Sequence, residues 1–328
     1  MSLKVIGIFV TLALLLASTA CSPMPVVTSV PAPTSAPADT PVPPPPDSAT
    51  AATEVPPAPT VEPPLAARVN GQPIYLADYE RQLSQYEASL QARGIAPDSP
   101  EGQEELAWAR DWILNAMIEQ ALTEQAAVAA GIVVSEDEID AYMQDMIAEN
   151  GGEEAFLAKL EQFGDTYENA RQTVRLQLIG GAMRDRIIDG VPTTAEHVHA
   201  RHILVDTAEE AEHILGQLKA GADFATLART YSQDVSTRDS GGDLGFFPQG
   251  ILIAPEVEAA AFALQPGQFS EVVPSTLGYH IVQVVERDPA RSVSPDNLRR
   301  LREQAVQNWT KELWAQADVQ RFIEPATP

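Results

Sequence analysis

The proline content of residues 22–64 limits where this chain of 328 residues can build a hydrophobic core. This segment holds 15 of the 27 prolines and contains no glycine, lysine, arginine or aromatic residue. Proline has no amide N–H and a fixed φ angle, so it interrupts helices and sheets alike. A segment of this composition favours extended polyproline conformations and cannot bury enough apolar surface to fold. We therefore expect a disordered linker over residues 22–66 and the start of folding near Ala67.

A short apolar run precedes this linker. Lys4 is followed by mostly apolar residues to Ala17, and small residues then lead to Cys21. The run is too short to span a bilayer comfortably, and the order of these features is typical of a secretory signal peptide over residues 1–21. Because Cys21 is the only cysteine, no internal disulfide can form.

The residues Ser18-Thr19-Ala20-Cys21 resemble the lipobox of bacterial lipoproteins. This resemblance implies that Cys21 becomes a lipid-modified first residue, which would hold the protein at the bacterial cell membrane, outside the cytoplasm. A cleaved signal followed by an unrelated cysteine is the alternative. The formal net charge of −25 favours solubility and disfavours nucleic acid as a partner.

Helical periodicity dominates residues 67–190. Apolar side chains recur at spacings of three and four residues in several predicted helices, and Ser135 with Glu138 has the pattern of a capping box. One predicted helix contains a stripe that we interpret as core: Trp108, Trp112, Ile113, Met117, Ile118 and Leu122. A surface that binds a partner is the alternative for such aromatic and methionine stripes.

The sequence changes character after Pro192. Residues 200–205 and 279–286 are rich in isoleucine and valine and are predicted to form strands, with amphipathic helices between them. This pattern predicts a compact α/β domain over residues 191–288. Residues 289–328 contain a further helix with two tryptophans, which is too short to be a domain and is expected to pack on the helices of residues 67–190.

Two histidines stand on these two predicted strands. Side chains alternate along a strand, so His202 shares a face with Ala200 and Leu204, whereas His197 and His199 point to the other face. A metal site built from these three histidines would be divided between two faces. We therefore expect no metal ion, although the spacing alone resembles a cluster of ligands.

Six motifs occur in a fixed order from Arg201 to Val282. They are Arg-His-Ile-Leu-Val at 201–205, Gly-Ala-Asp-Phe-Ala at 221–225, Tyr-Ser-Gln-Asp at 231–234, Gly-Gly-Asp-Leu-Gly at 241–245, Ala-Ala-Phe-Ala-Leu at 260–264 and Gly-Tyr-His-Ile-Val at 278–282. Together they resemble the parvulin-type peptidyl-prolyl isomerases. The wider order of signal peptide, helical domain, parvulin domain and last helix is similar to the SurA- and PrsA-like foldases of the bacterial envelope. The resemblance implies an α+β protein, in which a central antiparallel sheet flanked by helices accompanies a mainly helical chaperone domain.

The resemblance also implies a site. His202 and His280 would form its floor as neutral, hydrogen-bonded imidazoles, and Asp234 would destabilise the planar carbonyl of the substrate. A buried polar network that only shapes the core is the alternative for these three residues. The residues implied to line a proline pocket are Leu244, Ile253, Val257 and Phe262. Val257 stands where relatives usually have phenylalanine, so we expect a weaker grip on proline.

The function implied by the resemblance is isomerisation of X-Pro bonds in unfolded or newly exported polypeptides, without a cofactor. Such an enzyme would act as a foldase outside the cytoplasm. The alternative is a holdase chaperone that binds unfolded polypeptides and whose parvulin domain has little or no activity.

Overall fold

The computed structural model of the protein describes residues 63–323. The predicted signal peptide, Cys21 and the predicted linker up to residue 62 lie outside the described residues. The first strand, β1 (Leu65–Val69), begins before the expected start at Ala67. A turn at Asn70 and Gly71 joins it to β2 (Gln72–Tyr75), which pairs with β1 in antiparallel register.

Five helices follow these strands. They are α1 (Leu76–Ala92), α2 (Pro100–Ala129), α3 (Glu136–Glu149), α4 (Glu153–Gln162) and α5 (Tyr167–Asp189). The predicted capping box at the start of α3 is confirmed, because Ser135 and Glu138 each bond the backbone N–H of the other. The short helix α4 was not predicted from the sequence, and it buries Phe156 and Leu160 against α3 and α5.

The prediction that Trp108 is a core residue is wrong. Ile113, Ile118 and Leu122 of α2 are buried, but Trp108 is 57% exposed and stacks on Trp112 with 5.4 Å between ring centroids. Trp112 and Met117 pack against the buried cluster, whereas Trp108 lies outside it.

Residues 194–292 form a domain with a four-stranded antiparallel sheet and three α-helices. Its elements are β3 (Thr194–Val205), α6 (Ala208–Lys219), α7 (Phe224–Tyr231), β4 (Asp243–Pro248), α8 (Pro255–Ala263), β5 (Val273–Ser275) and β6 (Gly278–Ser292). The strand order is β4-β3-β6-β5. We call this part the sheet domain. The predicted central antiparallel sheet is confirmed, but β6 continues past residue 288, where the sequence analysis placed a boundary.

The two faces of this sheet bury different helices. Ile203 and Val205 of β3 pack against α6 and α7, whereas Val198 and Ala200 pack against α8 on the other face. The side chains of β3 therefore alternate as expected for a regular strand. The extra residue where the β3–β6 register shifts beside His199 belongs to β6, so the alternation along β3 is not interrupted.

The chain then returns to the helices. Helix α9 (Pro295–Gln316) packs on α2 and α5, and its Leu313 and Trp314 contact the core of the N-terminal helices. The strand β7 (Val319–Arg321) pairs with β1 and completes a sheet of order β2-β1-β7. The predicted packing of the last helix is confirmed. We call β1, β2, α1–α5, α9 and β7 the helical domain.

Candidate functional site

The pairing of β3 with β6 brings His202 and His280 together. His202 lies opposite Val282, and His280 lies opposite Leu204, so the two histidines are diagonal neighbours on the face that carries α8. They are 7% and 1% exposed. Their Nδ1 atoms are 3.2 Å apart, and their ring planes differ by 17°.

Asp234 reaches this pair from the loop that follows α7. The backbone N–H of Gln233 donates to the carbonyl oxygen of Leu204 at 2.7 Å, and Leu204 N–H donates to the Ser232 hydroxyl at 3.2 Å. These two bonds fasten the loop to β3. As a result, Asp234 Oδ2 lies 2.7 Å from His202 Nε2.

The carboxylate of Asp234 has several further donors. Thr237 Oγ1 donates to Oδ2 at 2.6 Å, while the hydroxyl and the backbone N–H of Ser236 donate to Oδ1 at 2.5 and 3.0 Å. Burial raises the pKa of the Asp234 carboxyl, but the hydrogen bonds from Ser236, Thr237 and His202 outweigh burial and hold this pKa well below its usual range. Asp234 is therefore an anion at neutral pH.

An assignment of protons with two neutral imidazoles satisfies the bonds that link Asp234, the two histidines and Ser275. An ionised Asp234 accepts from His202 Nε2–H, which leaves His202 Nδ1 of a neutral ring as an acceptor. His280 then donates its Nδ1–H to His202, and His280 Nε2 accepts from the Ser275 hydroxyl at 2.8 Å. Both ring N–H groups are used inside this relay. In this assignment neither imidazole has a hydrogen left to donate to a bound peptide, and the lone pairs of both rings are used as acceptors.

Thr237 and Ser275 were not predicted from the sequence as site residues. Thr237 follows Asp234 by three residues, the spacing at which a side chain hydroxyl commonly bonds the carboxylate of a turn, so this signal was available. Ser275 ends the three-residue strand β5, and nothing in its neighbourhood in the sequence indicates a bond to His280.

Gly242, just before β4, lies in close contact with the backbone of β3 at His202. The backbone N–H of His202 donates to the carbonyl oxygen of Gly242 at 2.8 Å. Gly242 has a φ angle of 81°, and a Cβ atom placed on it would lie 2.0 Å from the carbonyl oxygen of His202. Only glycine allows this approach, because it has no Cβ and tolerates positive φ.

Burial of His280 has a consequence for stability. Burial, followed by the influence of His202, lowers the pKa of His280 to about 4, and Glu256 and Asp234 oppose this only in part. The unfolded chain would protonate this ring near pH 6.5. The unfolded state binds the proton more tightly than the folded state. The contribution of His280 to stability is therefore fully present above about pH 6.5 and is lost as the pH falls towards 4. The lowered pKa of Asp234 acts in a lower window, below about pH 4.

We expect the free energy of unfolding to fall by about 2 kcal/mol between pH 7 and pH 5 because of His280 alone. Urea unfolding followed by circular dichroism measures this change. In a His280→Asn variant, the free energy of unfolding should fall by about 2 kcal/mol less between pH 7 and pH 5 than in the unmodified protein. His213 is exposed, so a His213→Gln variant should behave as the unmodified protein. Equal pH dependence in the unmodified protein and the His280→Asn variant would contradict the assignment.

An apolar cluster borders the histidine pair on the same face of the sheet. Val257 is 2% exposed and belongs to its buried part, while Leu244 and Phe262 are partly buried against it. These three predicted pocket residues are therefore placed together. Ile253 does not join them, since its side chain is 89% exposed, and Leu252 packs on the cluster in its place. Val257 lies beneath the accessible walls and does not form one of them.

The remaining histidines of β3 lie on the opposite face. His197 Nδ1 is 3.0 Å from the carbonyl oxygen of Ala195, and His199 Nε2 is 2.7 Å from Asp243 Oδ1. Over residues 63–323, no three histidine, cysteine or acidic side chains are grouped so that they could hold a metal ion. None of the helices in this range is long and apolar enough to cross a membrane.

Family models match a part of each domain. The family model of the PPIC-type PPIASE domain matches residues 199–286, and that of the SurA-like N-terminal domain matches residues 60–167. The chain is 34% identical to the foldase protein PrsA of Halalkalibacterium halodurans over 229 residues, which cover 63% of this chain and 68% of that protein. It is 31% identical to PrsA of Caldanaerobacter subterraneus over 234 residues, covering 67% and 72% of the two chains. A crystal structure of the peptidylprolyl isomerase PrsA from Bacillus anthracis is 28% identical, with a TM-score of 0.39 over 62% of this chain and 94% of that one.

Proposed function

This chain belongs to the family of PrsA foldases, and from that premise we propose that its sheet domain isomerises X-Pro bonds at the site formed by His202, Asp234 and His280. Membership of this family indicates that the chain is a peptidyl-prolyl cis-trans isomerase that acts as a foldase. The roles of individual residues are the proposal. The observation that supports it is the hydrogen-bonded relay from Ser275 through both histidines to an ionised Asp234.

The reaction requires no bond to be broken. Rotation about a peptide bond meets a barrier of roughly 18–20 kcal/mol, because the planar amide is stabilised by resonance. In the planar form the carbonyl oxygen carries partial negative charge, and much of that charge is lost when the amide twists. An enzyme accelerates the rotation by favouring the twisted amide over both planar isomers.

Two properties of the site favour the twisted amide. The anion of Asp234 repels a partly negative carbonyl oxygen, which destabilises the planar form more than the twisted one. The imidazoles use their N–H groups in the relay, so they do not stabilise the planar carbonyl as water would. The apolar cluster beside them would hold the proline ring and exclude water from the amide.

A protease-coupled assay with a tetrapeptide that contains one X-Pro bond tests the proposal. The purified protein should accelerate cis-trans exchange above the uncatalysed rate, which is slow enough to measure because exchange takes tens of seconds or more. Acceleration that persists undiminished after His202→Ala and Asp234→Ala are combined would exclude this site.

We also propose that the protein works outside the cytoplasm and that a lipid on Cys21 anchors it to the cell membrane. The signal-like residues 1–21 and the lipobox-like sequence support this location. Mass spectrometry of the mature N terminus tests the anchor. An unmodified Cys21 in the mature protein would contradict it.

The helical domain offers a second surface for unfolded polypeptides, which foldases of this kind bind. A groove of about 810 Å³ lies between α1, α2, α5 and α9, and no residue of the sheet domain lines it. Its walls carry Trp112, Met117 and Trp309 among many amide side chains. Aromatic and methionine side chains adapt to varied apolar sequences, and amides can bond the backbone of an extended chain. We propose that this groove holds client chains while the sheet domain acts on their prolines.

We expect Trp309→Ala to weaken suppression of client aggregation at least about tenfold, since a tryptophan anchor in an interface commonly contributes about 2 kcal/mol. The concentration of protein that halves the light scattering of an aggregating client measures the effect. Leu157→Ala, on the exposed side of α4 and outside the groove, is the control. Isomerase activity on a tetrapeptide should be unchanged in both variants, and equal scattering curves for the two would contradict the proposed groove.

A further inference from the structure

The loop that joins β4 to α8 decides which side chain faces the apolar cluster. We call residues 249–254 the pocket loop. Within it, Ile251 and Leu252 pack on the cluster, whereas Ile253 is 89% exposed. A shift of the loop by one residue would exchange Leu252 and Ile253. Something must therefore fix the backbone of the pocket loop.

The carboxylate of Glu258 bonds this backbone at three successive residues. Its Oε1 accepts from Gly250 N–H at 2.7 Å, and its Oε2 accepts from the N–H groups of Ile251 and Leu252 at 2.9 and 3.0 Å. Among the described residues, these N–H groups have no other acceptor. Bonds to a charged acceptor are stronger than bonds between neutral groups, so one side chain carries most of the fixation.

Glu258 is itself on a rigid support. Its neighbours on α8, Val257 and Ala261, are buried in the apolar cluster against β3 and β6. The helix can therefore transmit the position of the sheet to the loop. The same cluster borders the histidine pair. Glu258 therefore fixes the position of the pocket loop relative to His202 and His280.

Helix α9 closes the outer side of the same loop. Gly250 has a φ angle of 89°, and a Cβ atom placed on it would lie 2.9 Å from Leu301 Cδ2 and 3.2 Å from Gln304 Oε1. The pocket loop thus lies between Glu258 on one side and α9 on the other. It cannot move outwards without displacing a helix of the other domain.

We propose that Glu258 is a positioning residue that determines specificity: by holding Gly250, Ile251 and Leu252, it sets the width of the proline pocket. Leu252 is the wall whose place it fixes. A pocket of fixed width accepts the five-membered ring of proline and rejects a ring that is larger by one methylene. This inference rests on the proposed assignment of the apolar cluster as the proline pocket.

A role in stability alone predicts a different result. Loss of folded protein lowers the rate for every substrate by the same factor. Loss of a fixed wall lowers the rate for proline more than for its six-membered homologue, pipecolic acid. The ratio of kcat/KM for the two substrates therefore separates the two roles.

The experiment compares two tetrapeptides that differ only in proline or pipecolic acid. One methylene in an apolar pocket changes kcat/KM about 10- to 200-fold, so the unmodified protein should prefer proline by about tenfold or more. In Glu258→Ala this ratio should fall at least about fivefold, through a higher KM for the prolyl peptide, with kcat within about twofold. Glu258→Gln keeps one carbonyl oxygen as an acceptor but loses the other, so it should lower the ratio by less than Glu258→Ala does.

Glu212 is exposed on α6, remote from the pocket loop in the fold, and Glu212→Ala should leave the ratio unchanged. If the unmodified protein isomerises neither peptide, the proposed function fails before the inference is reached. If it isomerises both and Glu258→Ala shows the same ratio, the inference is overturned. Should Glu258→Ala fail to fold, as judged by circular dichroism, Glu258→Gln decides: a ratio above or equal to that of the unmodified protein contradicts the role of Glu258, and a ratio lowered by less than the alanine expectation supports it.

Discussion

Replacement of Gly242 with alanine is expected to destabilise the sheet domain by about 3 kcal/mol or more. Two costs combine in this estimate. A left-handed backbone costs a non-glycine residue about 1–2 kcal/mol, and forcing extra atoms into a packed site costs about 1–3 kcal/mol. The new Cβ would lie 2.0 Å from the carbonyl oxygen of His202. The strand β3 lies between β4 and β6, so its backbone cannot move away without breaking two ladders.

Gly245→Ala is the matched control for this prediction. Gly245 also has positive φ, at 67°, but a Cβ atom there would meet nothing within 4 Å. It should therefore lose only the backbone cost of about 1–2 kcal/mol. All four tryptophans lie in the helical domain, so tryptophan fluorescence does not report the sheet domain. Hydrogen exchange of the β3 amides measures the stability of the sheet domain directly. Equal losses of protection in the two variants would show that the close approach of Gly242 to His202 has no energetic weight.

The second large effect is expected for Asp234. Replacement with alanine removes the anion that accepts from His202, and we expect kcat/KM for a prolyl tetrapeptide to fall about 10- to 100-fold. This range corresponds to the roughly 1.5–3 kcal/mol that a hydrogen bond to a charged group contributes. Asp239 is an exposed carboxylate five residues further on, and Asp239→Ala should keep full activity.

Asp234→Asn separates the charge of this residue from its hydrogen bonds. The amide keeps a carbonyl oxygen that can accept from His202 Nε2–H, but it has no negative charge. If the anion acts on the substrate carbonyl, Asp234→Asn should lose nearly as much activity as Asp234→Ala. Full activity in Asp234→Asn would exclude the electrostatic role and leave Asp234 as a group that only orients His202.

Local periodicity was sufficient to predict one part of the site that lies on a regular element. Alternation along β3 separated His202 from His197 and His199, and β3 has no extra residue that would reverse this parity. The helices of residues 67–190 were predictable for the same reason. The pairing of His202 with His280 was predicted only from the resemblance to parvulins. Periodicity does not reveal which loop residue will reach the pair, so Asp234 came only from the resemblance to parvulins.

Other features depend on contacts that a local pattern does not contain. Ile253 is 89% exposed on the pocket loop, and the backbone N–H groups of this loop donate to Glu258 on the next helix. Trp108 was assigned to the core because its spacing fits a helix stripe, but its ring stacks on Trp112 outside the buried cluster. The strand β7 has three residues, and its partner β1 is about 250 residues away, so nothing near it in the sequence indicates the pairing.

That pairing of β1 with β7 also sets an order of events for a chain that crosses a membrane from its N terminus. The sheet domain is continuous from Thr194 to Ser292, so all of its strands emerge before β7 does. The helical domain lacks its third strand, and the groove lacks the wall that carries Trp309, until α9 and β7 have followed. In a chain that crosses a membrane in this direction, the sheet domain can therefore assemble first, and the groove of the helical domain becomes complete only when translocation is nearly finished.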